Sequence, residues 1–217
     1  MPDKALQQRA VKIIQRLRKA QPGAKIELEF SSPLELLVAT ILSAQCTDER
    51  VNRVTRSLFQ RYRSAADYAE ARPTQFEQEV KSTGFFRQKT KSIIAAAREL
   101  VARYGGEVPD SMAELTALPG VARKTANVVL SAAFAKAEGI VVDTHVQRVA
   151  YRLGLTKQKN PEKIERDLMD LLPPRYWNDA STQLVLHGRY ICIARKPHCS
   201  TCPLRPLCPR LGVTESV

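Results

Sequence analysis

The hydrophobic positions of this chain recur at helical spacing along nearly its whole length. Apolar side chains from Leu6 to Leu17 fall on one face of an amphipathic helix, which predicts a helix over residues 4–20. The same spacing predicts further helices near residues 33–42, 48–62, 64–71, 74–82, 87–104, 112–117, 123–135, 144–153, 161–172 and 176–191. Only residues 27–30 and 140–142 look like strands, and both segments are short. The pattern therefore predicts an all-α protein.

Residues 111–145 hold the most informative pair of helices. Ser111 followed by Glu114 is a capping box that begins a short helix, and a Pro-Gly pair ending in Gly120 terminates it. An apolar periodic run from Arg123 begins the next helix. Two helices joined by a tight glycine turn leave backbone N–H groups open at the start of the second helix. That end is an anion site.

Lys124 lies in the first turn of the second helix of this pair. The helix macrodipole disfavours an ammonium group there, and the neutral amine that it favours is a nucleophile. A surface lysine on an ordinary helical hairpin fits the spacing equally well. Spacing alone leaves both interpretations open.

The charge balance narrows the choice of partner. The 217 residues carry 34 Lys and Arg against 22 Asp and Glu, a net charge of +12. Such a surplus suits a polyanion, with DNA or RNA before an anionic membrane, and a merely basic soluble protein is the alternative. No apolar run approaches the roughly 18 residues of a membrane span, and the N-terminus lacks a signal-peptide core. The sequence predicts a cytoplasmic, nucleoid-associated protein without membrane contact.

Residues 81–87 have a pattern similar to that of the hairpin, because a glycine again separates two predicted helices. Arg87, Lys89 and Lys91 open the second of these helices. Because cations are unfavourable at a helix start, an outside polyanion explains their clustering. A solvated basic face is the alternative.

Four of the five cysteines are clustered near the C-terminus in the spacing C-x6-C-x2-C-x5-C, namely Cys192, Cys199, Cys202 and Cys208. Four thiolates this close can bind zinc or an iron–sulfur cluster, and the spacing matches neither common zinc pairs nor the bacterial ferredoxin run. A structural metal is predicted, but its kind stays open. Arg195 and Lys196, in the first loop, are expected to face outward and contact phosphate. Cys46, on an apolar helix, is expected to be a small buried residue.

Together these features resemble the helix-hairpin-helix DNA glycosylases, and among them the endonuclease III type. The resemblance covers nearly the whole chain. It rests on Leu-Ser-Ala-Gln-Cys-Thr-Asp at 42–48, Leu-Pro-Gly-Val-Ala-Arg-Lys-Thr-Ala-Asn at 118–127, Val-Asp-Thr-His at 142–145, Leu-His-Gly-Arg-Tyr at 186–190, and the cysteine run. It implies two helical lobes with the active site in the cleft between them. Residues 26–136 would form a six-helix barrel lobe with the helix-hairpin-helix motif, and residues 1–25 plus 137–217 the cluster lobe.

The resemblance implies a bifunctional enzyme of base excision repair, a DNA glycosylase and abasic-site lyase. Its partner would be duplex DNA with oxidised pyrimidines or abasic sites, it would act as a monomer, and a 4Fe–4S cluster would sit on the four cysteines. By resemblance, Lys124 attacks C1′ of the damaged nucleotide and forms a Schiff base, and Asp143 is the essential carboxylate. From the residues alone, Asp143 is also a candidate N-cap of the helix that starts at Thr144.

The resemblance also implies DNA contacts, made by hairpin residues and by side chains that fill the gap left by the extruded base. The hairpin set is Gly120, Val121, Ala122, Arg123 and Thr125. Gln45 and Phe85 match the gap-filling positions, although Phe85 fits a core position equally well. His145 would help to form the damaged-base pocket, with an ordinary helix-end histidine as the equal alternative.

Three departures from the family pattern bear on these expectations. Ala122 stands where a second glycine is common, so the hairpin is expected to hold only if that position is already helical. Phe85-Phe86 replaces the usual Leu-Tyr pair, and Cys46 stands where the best-known member has alanine. The adenine-specific relatives lack a hairpin lysine, so Lys124 argues against that alternative. A non-catalytic DNA-binding module would need neither Lys124 nor Asp143.

Overall fold

A computed structural model describes residues 3–217, and within that range all regular structure is helical. Eleven α-helices follow in chain order: α1 Lys4–Ala20, α2 Pro33–Leu42, α3 Asp48–Arg61, α4 Ala65–Ala69, α5 Pro73–Val80, α6 Phe86–Tyr104, α7 Met112–Ala117, α8 Arg123–Phe134, α9 Thr144–Arg152, α10 Pro161–Leu171 and α11 Trp177–Tyr190. Short 3₁₀ helices span Lys81–Thr83, Pro174–Tyr176 and Arg205–Leu207. The all-α prediction is confirmed.

The two strand predictions are wrong, because neither segment is a strand and side chains bond part of its backbone in place of a partner strand. At residues 27–30, the Asn52 side chain donates to the Glu27 carbonyl at 2.8 Å and accepts from the Glu29 N–H at 3.0 Å. At residues 140–142, the Val141 N–H donates to Ser181 Oγ at 2.9 Å. A short segment can thus have its backbone bonded without joining a sheet.

Serine side chains cap the starts of two helices, at the predicted Ser111 box and at Ser32. Ser32 Oγ accepts from the Glu35 N–H at the start of α2, and Ser111 Oγ accepts from the Glu114 N–H at the start of α7. Each bond satisfies one of the backbone donors that an α-helix leaves open in its first turn.

Contacts between residues divide the chain into two compact units. One combines the N-terminal segment through Ile26 with Ala137–Val217, and the other spans Glu27–Lys136. The lobes expected from the sequence divide after residues 25 and 136. No helix within residues 3–217 has the length and apolar character needed to cross a membrane.

Each unit has its own apolar core. In the first unit, α1 and α9–α11 bury a continuous cluster against which Cys192, Cys202 and Cys208 pack. In Glu27–Lys136, the largest fully buried side chains include Leu36 and Leu42 of α2, Tyr68, Phe76, Ile93, Leu100, Leu115 and Leu130. The cysteine run therefore rests on the core of the first unit, and the hairpin formed by α7 and α8 belongs to the second.

Candidate active site

The turn between α7 and α8 requires a glycine for two reasons. Gly120 has φ of +77°, and a Cβ atom placed there would lie 2.5 Å from both Cβ and Oγ of Ser92 in α6. The Val121 N–H closes the turn by donating to the Leu118 carbonyl at 3.1 Å, and both of those apolar side chains are buried. The turn is therefore held tightly against α6, with its backbone at the surface.

The start of α8 has no side-chain cap. Ala122 is the N-cap residue, with φ −83° and ψ 165°, and it has no side-chain acceptor. The expectation that this position must be helical is wrong, because its backbone is extended, a conformation that alanine adopts without strain. The uncapped N–H groups and the macrodipole make this helix end suitable for a phosphate group.

Lys124 is the second residue of α8, and its side chain is exposed. Arg123 beside it is exposed as well, and Thr125 is half-buried. Ala126 and Asn127 turn into the core and fix the rotation of the helix. The Lys124 side chain is thus presented to solvent from a helix start that has no side-chain cap.

Asp143 is the N-cap of α9, as the sequence suggested. Its Oδ1 atom accepts hydrogen bonds from the His145 and Val146 N–H groups, both at 2.8 Å. Both bonds use one carboxylate oxygen, so the cap fixes the orientation of the group.

His145, in the first turn of α9, is half-buried and packs closely on α11. Its Nδ1 atom lies 3.2 Å from Nη2 of Arg148. A guanidinium can only donate, so Nδ1 accepts and the ring is left to donate through Nε2. A Cβ atom at Gly188 would lie 2.8 Å from the His145 Cβ, so α11 needs a glycine where α9 crosses it.

Two arginines of α9, which sequence reasoning missed, connect Asp143's helix to the cysteine run. Arg148 donates to the carbonyls of Gly188 at 2.7 Å and Cys192 at 3.0 Å. Arg152 donates to the carbonyls of Ile193 at 2.7 Å and Ala194 at 2.8 Å. Burial lowers the pKa of Arg148. Their one-turn spacing on the helix after the Val-Asp-Thr-His motif could have indicated them, since the last carbonyls of a helix need donors.

The four cysteines of the C-terminal run line a single cavity, together with Arg152 and His187. Arg152 Nη1 lies 3.4 Å from Cys192 Sγ, and the Arg210 N–H donates to Cys208 Sγ at 3.4 Å. Burial raises the pKa of the Cys202 and Cys208 thiols, and the other cysteines around the cavity raise it further. Within residues 3–217, no three His, Cys, Asp or Glu side chains converge closely enough to hold a single metal ion.

Arg195 and Lys196 are exposed in the loop between the first two cysteines, the position expected of a phosphate contact. Lys196 has φ of +48°, and its ammonium lies 3.5 Å from the Glu215 carboxylate. The terminal Val217 fastens this loop, because its N–H donates to the Pro197 carbonyl and its carbonyl accepts from the Ser200 N–H. The loop is thus ordered, and its basic side chains face outward.

The two gap-filling candidates share an unusual backbone state. Gln45, between α2 and α3, has φ of +53°, and Phe85, just before α6, has φ of +47°. Both side chains are exposed, and 65% of the Phe85 surface is accessible, so a core role for Phe85 is wrong. Cys46 lies in the turn after α2 and is half-buried, so the expectation of a buried helical cysteine is wrong as well. Left-handed non-glycine residues are concentrated at functional positions.

Lys89 does not form part of a basic surface. Arg87 and Lys91 are exposed, but Lys89 is only 4% accessible. Its ammonium donates to the carbonyls of Leu42 and Thr83, each at 2.8 Å. For this residue the polyanion and solvated-face explanations are both wrong, because its charge is directed at two helix ends inside the unit.

The sequence pattern of the HhH-GPD superfamily of base excision DNA repair proteins matches residues 38–174, which include Gly120, Lys124 and Asp143. The chain belongs to this superfamily. The match spans more than half of the chain and contains both helices of the hairpin, so the family assignment and the site geometry concern the same residues.

Individual relatives and a solved structure agree with the family. Endonuclease III of Synechocystis is 54% identical over 202 residues, which cover 93% of this chain and 92% of that protein. Endonuclease III of Bacillus subtilis is 47% identical, covering 86% and 85%. A trapped covalent intermediate of endonuclease III with DNA, an estranged-adenine complex, is similar with a TM-score of 0.89 and 41% identity, covering 94% of this chain and 96% of that chain.

Proposed function

We propose that this chain is a bifunctional DNA glycosylase and abasic-site lyase that removes oxidised pyrimidines from duplex DNA in base excision repair. Superfamily membership and the endonuclease III relatives support the enzyme class. The observation that carries the lyase half is Lys124, an exposed amine in the first turn of a helix without a side-chain cap. A solved covalent intermediate of a similar protein with DNA supports a covalent route.

In the proposed reaction, the neutral amine of Lys124 attacks C1′ of the damaged nucleotide. The C1′–N bond breaks, and the base leaves with the bonding electrons and takes one proton of the amine. The C1′–O4′ bond of the sugar ring then opens, O4′ takes a proton from water, and the lysine nitrogen and C1′ remain joined as an iminium. The iminium acidifies the C2′ proton, whose removal expels the 3′ phosphate by β-elimination. Water then releases the cleaved sugar from Lys124. No oxidant or reductant is needed.

Asp143 is assigned two roles in this reaction, as a general base and as the group that stabilises positive charge. Its cap bonds to the His145 and Val146 N–H groups keep the carboxylate oriented. A carboxylate can act as a general base and can stabilise positive charge that develops on the sugar. His145, donating through Nε2, is assigned to the damaged-base pocket.

DNA binding is assigned to the hairpin and to the exposed loops. The hairpin residues Gly120 to Thr125 present the open N–H groups of α8 to a backbone phosphate. Gln45 and Phe85 enter the stack when the damaged base is extruded, which this chemistry requires. Arg195 and Lys196 contact phosphate through their exposed side chains. With a net charge of +12, the affinity is expected to fall steeply with salt.

The four cysteines fit a 4Fe–4S cluster. Such a cluster takes one thiolate on each of its irons, and the four thiols surround one cavity. N–H groups of Arg152 and Arg210 point at two of the sulfurs, as is common around ligating thiolates. When bound, the cluster supplies a cross-link that joins the Arg195 loop to the rest of its unit. The protein is proposed to act as a monomer on nucleoid DNA in the cytoplasm.

A substrate panel tests this function. Duplexes that carry single oxidised pyrimidines, and a duplex with an abasic site, are incubated with the purified protein. Released base and strand breaks are then measured separately. The proposal expects both products from pyrimidine lesions and β-elimination breaks at the abasic site. Base release without strand breaks would indicate a monofunctional enzyme and overturn the lyase half.

A further inference from the structure

The buried ammonium of Lys89 donates hydrogen bonds to the C-terminal carbonyls of two helices. Lys89 in α6 donates to the carbonyl of Leu42, the last residue of α2, and to that of Thr83, the last residue of the 3₁₀ helix Lys81–Thr83. Both bonds measure 2.8 Å. The last carbonyls of a helix have no partner within it, and a cation there also complements the macrodipole.

The two helix ends lead directly into the two gap-filling loops. Gln45 follows Leu42 within one short turn, and Phe85 follows Thr83 after a single glycine, Gly84. Both residues have positive φ and exposed side chains. Loops with unfavourable backbone conformations keep their shape only where the surrounding structure holds them. The bonds of Lys89 provide that restraint on the inner side of each loop.

The energetics of this ammonium favour a role in geometry over a role in stability. Burial lowers the pKa of Lys89, which reflects the penalty of placing its charge in a poorly solvated position. Well-packed apolar residues often replace even buried ion pairs with no loss of stability. A charged group that is costly to bury yet bonded to two separate segments is suited to fixing the distance between them.

We propose that Lys89 is a positioning residue, which holds the Gln45 and Phe85 loops in register so that both side chains enter the DNA stack together. The proposal rests on the gap-filling roles assigned to those two residues under the proposed function. Lys89 itself touches no DNA, because it is only 4% accessible.

A mutant cycle tests the proposal. Lys89→Met keeps an unbranched side chain of nearly the same length and removes the donors, and it is expected to lower kcat/KM for base removal from duplex DNA by about tenfold. If Lys89 acts through the two loops, adding Lys89→Met to the Gln45→Ala, Phe85→Ala double variant should change kcat/KM by less than about twofold, since residues that act as a unit are not additive. If the triple variant instead loses kcat/KM by the product of the Lys89→Met loss and the double-variant loss, the proposal is overturned.

A single-stranded oligonucleotide with an abasic site separates this proposal from the proposed function. It has neither a base to extrude nor a duplex gap to fill. Borohydride trapping through Lys124 should therefore proceed equally in wild type and Lys89→Met. No adduct in wild type would refute the lyase assignment, whereas an adduct lost only in Lys89→Met would refute the positioning role.

Two further variants control for the loss of one positive charge and for misfolding of Lys89→Met. Lys12→Met removes one positive charge from an exposed position of α1 and should leave kcat/KM within about twofold of wild type. If Lys89→Met does not fold, Lys89→Gln is used, because its amide remains a donor but ends one bond short of the lysine ammonium and cannot hold both carbonyls as Lys89 does. Amide hydrogen exchange should then accelerate at residues 43–46 and 84–86 alone, since part of the restraint on the two loops is lost. Unchanged exchange in both loops would contradict the proposal.

Discussion

Two glycine turns within Glu27–Lys136 have the same order of elements but differ in the burial of the lysine that follows each glycine. Each joins a short helix to a longer one, through Gly84 with φ of +71° or Gly120 with φ of +77°. Each is followed by a lysine near the start of the longer helix. Lys124 is exposed, whereas Lys89 is 4% accessible and bonded to two carbonyls.

The difference comes from where each lysine lies in its helix. Lys124 is the second residue of α8, before the helix turns its buried face to the core. Lys89 is the fourth residue of α6 and lies on the face that packs inward. Two positions along a helix rotate a side chain by more than half a turn. The same residue type is therefore exposed in one hairpin, where we propose that it supplies the reacting amine, and buried in the other, where we propose that it positions two loops.

Removal of the Lys124 amine is expected to have the largest effect. Lys124→Ala should reduce strand cleavage at an abasic site by a factor on the order of 10³ or more, because the covalent route is lost. Cleavage is measured on labelled duplex DNA, with Lys157→Ala, an exposed lysine of the other unit, as the matched control. Substantial cleavage by Lys124→Ala would place the reacting amine elsewhere.

Asp143→Asn tests the proposed partner of Lys124 in the reaction. The substitution removes the carboxylate charge of residue 143 but keeps its oxygen as the N-cap of α9. An asparagine oxygen can still accept from the His145 and Val146 N–H groups, so helix α9 should keep its stability within about 1 kcal/mol. Loss of the carboxylate charge should lower base removal by roughly a hundredfold. Comparison of the chemical denaturation midpoint with glycosylase rates separates the two. Equal damage to both would mean that Asp143 is only a cap.

The two glycines should respond differently to alanine. Gly84→Ala meets the strain of a backbone at φ +71° and ψ 159°, a region populated almost only by glycine, while no atom beyond the neighbouring residues lies within 4 Å of a Cβ there. Gly120→Ala meets the strain of a φ of +77° and also a clash with the Ser92 side chain, and the clash should lower its free energy of unfolding by about 1–3 kcal/mol beyond the backbone strain. Urea denaturation measures both. Ser92→Gly should recover the excess loss at Gly120, and no recovery would contradict the steric explanation.

The exposed lysine of the cysteine loop should give the smallest effect. Lys196 pairs with Glu215 at 3.5 Å in a solvent-exposed ion pair, which contributes little to stability. Lys196→Ala should leave the unfolding free energy within about 0.5 kcal/mol and reduce the salt dependence of DNA binding by about one phosphate contact. Titrations at several salt concentrations provide the slope. An unchanged slope would remove Lys196 from the DNA contacts.

The positions of the helices can be predicted from the sequence, because they depend on residues that are close together along the chain. Apolar periodicity and the Ser32 and Ser111 caps place helix starts within about two residues of those observed. The strand-like segments mislead because their backbone partners, Asn52 and Ser181, come from distant parts of the chain. No local pattern reports such a long-range partner.

The site is predictable where one residue type and its spacing already carry the chemistry. Lys124 at a helix start and Asp143 before a helix follow from the sequence, and the structure shows the helix positions that each occupies. The burial of Lys89 and the positive φ of Gln45 and Phe85 could not be predicted. They depend on how α2 and the 3₁₀ helix end against α6, a tertiary arrangement to which single-sequence patterns are blind.

Borohydride trapping tests the central claim most directly. Wild-type protein is mixed with duplex DNA that contains one abasic site, the reaction is reduced with borohydride, and the adduct is digested and mapped by mass spectrometry. A Schiff base on Lys124 predicts one covalent adduct, located at Lys124 and absent from Lys124→Ala. An adduct mapped to another amine, or no adduct in a reaction that still cleaves the strand, would contradict the account.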